Sequence, residues 1–497
     1  MKEFDISLDN AVFTYVLHTK KHKDLSQFIY IEKYGLYLSY SKKTEVLTFQ
    51  NAHGFVYIVG LCVDSFGEIE RCDIPEFLLR SSNIITDIIK AAARFAGNYV
   101  IFISLNNNFY AFSDATACMQ INYALDEICL SSFDHVVATT LALPVDNRAL
   151  RIRMSSDFVA AMPNDITIYQ GVKTVLADHY INIRSRTTTR YYPYGELQYF
   201  ENPHDVLKRH VDLIDNIVKE YAKYYKIVSP LTSGWDSRVV VSFLFKNIED
   251  FQSYIFVHKY MTEITDDLRI PREICKCLEI THREIPDLIP DESFIDAVYS
   301  IIGKYYYKDD IAMAYTYKKT FGEAATINGN IIDHLGKSSL VNLLPIWCAT
   351  AAYFTTKERK ISMNAKREVG NYLKLIKNNK ITSQYVYDLF GIEDQCGRLC
   401  GYSQVIYAAI GIPLLNIFNS HAIIDDWVRI KHKDRKQHCI HLYFLNTNHK
   451  DLLQFPFNPD EKFKFIGNSK VLFFCATYIR HFIRMLRKPH LKQNRGY

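Results

Sequence analysis

The sequence predicts an α/β protein, with a β-rich part first and then a parallel-sheet domain that ends in a helical part. Three observations carry this. The first 150 residues hold short runs rich in aromatic and β-branched residues. From about residue 200 the pattern alternates helix, strand, helix, strand, as a parallel sheet requires. Beyond about 340 the chain reads mostly helical. With 497 residues, two domains are expected, over 1–195 and 196–497.

The elements follow in order. Phe28–Ile31, Leu36–Tyr40, Phe55–Val59, Tyr99–Leu105 and Phe109–Phe112 are strand-like, and Asn106-Asn107-Asn108 is a hairpin loop between the last two. Ile84 to Ala96 reads as a helical interlude. Residues 165–193 hold strand pairs and charged turns and read as a joining segment. Leu207, Val211, Ile214, Val218 and Tyr221 then fall on one stripe of an amphipathic helix. Ile227-Val228 is a short strand and Val239 to Phe245 a buried helix. Tyr254–Val257 is the next strand and Asp267–Leu278 the next helix.

Between the first of these strands and its helix lies Pro230-Leu231-Thr232-Ser233-Gly234-Trp235-Asp236-Ser237-Arg238. A strand, a loop of small residues and a helix start make an anion site, because N–H groups at the helix N-terminus point at the ligand and the helix dipole favours negative charge. Hydroxyls of Thr232, Ser233 and Ser237 add donors. Asp236 cannot bind phosphate directly; holding a Mg²⁺ that bridges phosphate oxygens is the role that suits it.

Bulk properties exclude little. The net charge of +5 comes from 59 basic and 54 acidic residues and marks no nucleic-acid partner. No apolar run is long enough for a membrane span, and Met1-Lys2-Glu3-Phe4-Asp5 does not open a secretory signal. Eleven scattered cysteines fit a reduced, cytoplasmic protein. Cys275/Cys277 and Cys396/Cys400 lack a partner pair at zinc spacing and read as core or helix-face residues.

The loop resembles the pyrophosphate-binding (PP) loop of the N-type ATP pyrophosphatases, which reads Ser-Gly-Gly-x-Asp-Ser in asparagine synthetases; Thr232 and Ser233 replace the first Ser and Gly. Further stretches resemble the asparagine synthetase family in the same order. They are Arg94 to Val100, Phe112-Ser113-Asp114 to Tyr123, Thr167 to Val172 with Arg190-Tyr191-Tyr192-Pro193, Asn328 to Asp333, and Pro413-Leu414-Leu415. The resemblance implies an N-terminal nucleophile (Ntn) glutaminase-like sandwich before a synthetase domain. It implies ATP with its pyrophosphate on Thr232–Ser237, Leu231 and Val257 beside the adenosine, and Asn328 and Gly329 in a second loop. It implies Asp236 and Asp333 on Mg²⁺, and a late lysine that stabilises the adenylate, for which Lys433 is the candidate. The partners implied are a small-molecule, peptide or glycan carboxylate, which attacks the α-phosphate, and an amine, which then displaces AMP to form an amide.

Departures shape the expectation. Asn330, Ile331 and His334 stand where the family's second loop has Glu, Gly and Glu, so the acceptor pocket is not built for aspartate. A class II glutaminase exposes a Cys after Met removal, with its own α-amine as base. Here position 2 is Lys2 and the first cysteine is Cys62, so glutamine hydrolysis by that route is not expected. Gly336-Lys337-Ser338 resembles the end of a Walker A loop, but Ile331 stands where that motif needs Gly; Lys337 reads as an exposed loop lysine, with contact to a phosphate as the alternative. Glu393, Asp394 and Arg398 read as surface pairs, with a place in the acceptor-pocket lining as the alternative. The aromatic and basic tail, 471–488, reads as docked on the synthetase core. Two functions stay open: an amide-forming ligase without a glutaminase, or a non-catalytic relative that keeps the fold.

Overall fold

The computed structural model describes residues 4–154, 162–338, 340–343, 346–351, 354, 363–457, 475 and 479. Lys2 and nearly all of the 471–488 tail lie outside the described residues.

Among the described residues, twelve strands precede residue 191: β1 Tyr15–His18, β2 Gln27–Ile31, β3 Leu36–Tyr40, β4 Val46–Asn51, β5 Gly54–Asp64, β6 Phe95–Leu105, β7 Asn108–Ser113, β8 Asn122–Ala124, β9 Cys129–Ser131, β10 Val172–Thr174, β11 His179–Asn182 and β12 Thr187–Arg190. They form two antiparallel sheets, ordered β10-β8-β9-β1-β3-β2 and β12-β11-β7-β6-β5-β4. Inner faces meet through residues such as Tyr15, Leu17, Leu38, Tyr57, Phe102 and Phe109 in one core. The long strands β5 and β6 pair over their whole length, from Gly54↔Leu105 to Asp64↔Phe95. Asn106 and Asn107, both at positive φ, close the tight turn from β6 to β7, as the Asn run predicts.

Two details differ from the expected elements. The interlude at 84–96 contains a helix only over Ile85–Ala92, because Phe95 already begins β6; a further helix, Ile74–Ser81, precedes it. Both helices cover the outer face of β5 and β6 with Ile74, Leu78, Ile88 and Ile89. The strands expected in the joining segment are present: β10 extends one sheet and β11–β12 the other.

The remaining sheet is parallel: β13 Ile227–Pro230, β14 Gln252–Val257, β15 Thr281–Pro286, β16 Ala325–Ile327 and β17 Leu414–Leu415, in the order β15-β14-β13-β16-β17. The helices His204–Tyr224 and Trp235–Asn247 flank it. The predicted stripe Leu207, Val211, Ile214, Val218 and Tyr221 is buried throughout, since those positions share one side of a 3.6-residue turn. Val239, Val240, Val241, Phe243 and Leu244 are fully buried. From β13 the chain steps to β14 on one side and later to β16 on the other. Such a change of direction opens a crevice at the carboxyl ends of the two neighbouring strands, where open α/β sheets bind ligands.

The antiparallel part grips the edge of this sheet. Asn98 Nδ2 donates to Leu414 O at 2.8 Å, and Asn419 Nδ2 donates to Gly97 O at 2.6 Å and to Asp114 at 2.9 Å. The outer face of the first sheet packs Val16 and Phe133 with Phe294 and Val298 of the helix Glu292–Ile302. The helical region past 340 includes a wide-wound π turn over Phe390–Cys400. There Glu393, Asp394 and Arg398 are buried, against the expectation of surface pairs. Glu393 pairs with Arg190, and Arg398 donates to Met162 O and Ile166 O; each charge meets the partner that burial demands. All cysteines of the described residues are free, with Cys275 and Cys396 buried, and no group of three His, Cys, Asp or Glu able to hold a metal occurs among those residues.

Candidate functional site

Two loops meet at the switch point. The first follows β13 and runs through Thr232–Ser237 into the helix Trp235–Asn247. The second follows β16 and runs through Asn328–Gly329 into the helix Asn330–Leu335. They touch closely, since a Cβ placed on Gly329 would lie 3.0 Å from Asp236 Cβ. Glycine at 329 lets the second loop approach the first without a side chain between them.

The first loop is internally braced. Thr232 N–H donates to Ser237 Oγ at 3.1 Å, the two hydroxyls lie 3.0 Å apart, and Gly234 N–H donates to Thr232 Oγ1 at 3.2 Å. Asp267 Oδ1 accepts from Ser233 N–H at 2.9 Å and from Ser233 Oγ at 2.6 Å. Sequence reasoning assigns the three hydroxyls to a ligand; the structure engages all three within the protein. Gly234 is the N-cap and supplies no capping side chain, so the N–H groups of the helix's first turn lack a side-chain cap. Leu231 is buried and its N–H donates to Tyr254 O at 2.9 Å; Val257 is half-buried at the end of β14. Both therefore stand at the carboxyl ends of adjacent strands.

Asp236 is held by two cationic or ring-nitrogen donors from different elements. His441 Nε2–H donates to its Oδ1 at 2.8 Å, and Lys337 Nζ donates to its Oδ2 at 3.1 Å. Lys337 also pairs with Asp333, one helical turn earlier. Burial opposes ionisation of Asp236, but the His441 hydrogen bond and the Lys337 ammonium outweigh it and hold the carboxyl at about 2. Burial likewise opposes the charge on Lys337, and Asp333 and Asp236 more than compensate, raising its pKa. Asp236 and Asp333, expected to share a metal, thus converge on a single ammonium.

Lys337 and His441 both hold Asp236, a contact that sequence reasoning assigned to neither. Lys337 is half-buried rather than an exposed loop lysine, and its side chain joins the two loops. His441 is fully buried on the helix Cys439–Asn448, and nothing local in the sequence ties it to a loop 205 positions earlier. Lys433 is exposed on the short helix His432–Lys436. In the second loop, Asn416 Nδ2 donates to Asn328 O at 3.0 Å, and Asn330 N–H donates to Asn328 Oδ1 at 3.2 Å.

A strap from the C-terminal region closes one side. Arg238 is fully buried and donates to Leu452 O, Phe455 O, Pro456 O and Ser233 O. Its guanidinium lies 3.9 Å from the Phe457 ring centroid. Trp235 stacks between Phe457, at 3.6 Å, and His438, at 4.7 Å.

No family model and no curated protein matches the chain. Solved structures give partial likenesses. A glutamine-dependent NAD+ synthetase from Acinetobacter baumannii, in complex with ADP, shares 11% identity over 39% of this chain and 42% of that one, with a TM-score of 0.21. NMN synthetase from Francisella tularensis shares 18% over 35% and 72%, with a TM-score of 0.19. The PRPP amidotransferase from B. subtilis, complexed with ADP and GMP, shares 9% over 57% and 62%, with a TM-score of 0.25. The chain thus spans less than half of the NAD+ synthetase, and these scores are too low to carry an activity from one chain to another.

Proposed function

We propose that the chain is an asparagine-synthetase-like, ATP-dependent ligase that adenylates a carboxylate and passes the acyl group to ammonia or another amine. In this reading residues 1–195 form a degenerate Ntn-like domain with its joining segment, and 196–497 the PP-loop synthetase domain. The observation that carries it is the meeting of Thr232–Ser237 and Asn328–Gly329 at the switch point, with Asp236 held ionised between them.

The residues divide the work by position. Uncapped N–H groups at the start of the helix Trp235–Asn247 bind pyrophosphate oxygens. Lys337 neutralises charge on the departing pyrophosphate as it forms. Leu231 and Val257 wall the adenosine, and Asn328 and Gly329 bound the side where the carboxylate approaches. Its oxygen attacks the α-phosphate, pyrophosphate leaves, and the amine then displaces AMP from the acyl carbon. Positioning supplies much of the rate, because the reacting oxygen and phosphorus are brought into line by one crevice. The resemblance assigns Mg²⁺ to Asp236 and Asp333. That donor set does not fit the ion as it stands, since the Lys337 ammonium lies on both carboxylates, and no step here runs through the metal. Lys337 takes the late-lysine role in this reading in place of the exposed Lys433.

Glutamine is not the amine source in this reading. Cys62 is fully buried in β5, and burial pushes its thiol well above the usual range. No helix among the described residues is long and apolar enough to cross a membrane; a cytoplasmic location and the absence of nucleic-acid partners belong to the proposal.

A non-catalytic reading has one observation in its favour: the loop hydroxyls and both carboxylates are already engaged within the protein. A melting experiment separates the two. ATP raises the melting temperature of a protein that binds it only when folded. The ligase reading expects that rise in the wild type and its loss in Asp236→Ala. No rise with ATP, with or without Mg²⁺, would favour the scaffold.

A further inference from the structure

The position of Lys337 has a consequence for which cation the site holds. Its Nζ contacts Asp236 Oδ2 and Asp333 Oδ1 at once, so the two carboxylates lie within reach of one small cation. The Asp333 contact is local, four residues back along the chain. The Asp236 contact is not: it joins two loops 101 positions apart, across the switch point. Asp236 Oδ1, the remaining oxygen, accepts from His441 Nε2–H, and His441 is fully buried and fixed on its helix. Both oxygens of Asp236 are therefore already engaged within the protein.

We infer that Lys337 is the resident cation of this site: its ammonium fills the place between Asp236 and Asp333 that a divalent ion would take, and a divalent ion enters only by displacing it. The charge arithmetic favours this. Two carboxylates facing each other repel and call for a counter-charge, and a lysine on the same loop supplies it without loss of a free ion's translational entropy. Mg²⁺ sheds water reluctantly and is held through one or two carboxylates plus substrate phosphates. Without a phosphate ligand it gains too little to expel a paired ammonium. The flexible four-carbon stem lets that ammonium turn to a phosphate oxygen when one arrives, which makes Lys337 the first cationic contact for a polyphosphate. This last step rests on the proposed nucleotide site; the exclusion of the divalent ion does not.

The test is Mn²⁺ binding to the full chain without nucleotide, read as free Mn²⁺ by electron paramagnetic resonance. Wild type, Lys337→Met, Lys337→Gln and Lys337→Met/Asp333→Asn are compared, each first shown by circular dichroism to be folded. Removal of the ammonium is expected to tighten one-site Mn²⁺ binding by about tenfold or more in either single variant, and the added Asp333→Asn to abolish the gain. Two results overturn the inference: one equivalent of Mn²⁺ bound by the wild type as tightly as by the variants, or no gain in either folded single variant. A parallel ATP melting shift in EDTA keeps the two ideas apart. If ATP fails to stabilise the wild type under any condition, the nucleotide reading falls while the Mn²⁺ comparison still decides the role of Lys337.

Discussion

Asp236 shows what one residue demands of its surroundings. A carboxylate that is mostly buried yet ionised needs charge-assisted partners, and it has two, on different elements. His441→Ala removes one of them and leaves a cavity beside a buried carboxylate. The expected loss is about 2–3 kcal/mol in denaturant unfolding, with a weakened ATP melting shift. His441→Ala that unfolds like the wild type would mean that the hydrogen bond contributes nothing. Asp236 was legible in the sequence because the spacing of the loop, between an apolar strand and an apolar helix, exposes it. Its partners were not. Lys337 looks like any loop lysine until the fold brings it to Asp236, and His441 lies in a segment whose pattern shows only a helix.

The loops and helices carry the next level of the account. Arg238 gathers four carbonyl oxygens, three of them from the strap at 452–456, and desolvation lowers its own pKa to about 10. Arg238→Met keeps much of the buried volume but leaves those carbonyls without their donor. The expected cost is about 2–4 kcal/mol, with a changed Trp235 emission as Phe457 leaves its stack. An unchanged Trp235 spectrum would show that the strap holds without the arginine. Gly97, at φ +133, sits where a Cβ would fall 2.0 Å from Leu61 O. Gly97→Ala therefore strains the β5–β6 pair and is expected to cost more than about 3 kcal/mol, visible as a lower urea midpoint. The element types were legible wherever a single period held, as in the stripe from Leu207 to Tyr221. The π turn at Phe390–Cys400 was not, because its charged residues look like surface residues and only burial against the sandwich distinguishes them.

At the scale of the whole molecule, the antiparallel sandwich buttresses the parallel sheet rather than standing apart from it. Asn98 and Asn419 tie the start of β6 to β17 and the segment after it, next to β16, and so to the second loop. This long-range fit could not be read from the sequence, which shows two β-rich and α/β halves but not the bonds between Gly97 and Asn419, 322 positions apart. Stability toward acid has an identifiable source in the helical region. Burial opposes ionisation of Asp388, but Arg435 and His432 hold its carboxyl at about 2, below the ordinary 3.8. A depressed carboxyl contributes stability that is full above its unfolded value and is lost as pH falls through its folded one. The loss here is expected between about pH 4 and pH 2 and is on the order of 2 kcal/mol. Asp388→Asn should flatten that part of the stability profile; an identical acid limb in the variant would assign the loss elsewhere.

The central claim, that this crevice activates a carboxylate with ATP, is tested most directly by pyrophosphate release with Mg²⁺ across a panel of carboxylates, each supplied with hydroxylamine, ammonia or glutamine. Hydroxylamine or ammonia is expected to raise pyrophosphate release above the amine-free rate with at least one carboxylate, glutamine as the only amine source is expected to leave that rate unchanged, and Asp236→Ala is expected to release none. Stimulation by glutamine equal to that by ammonia, or release that survives Asp236→Ala, would contradict it.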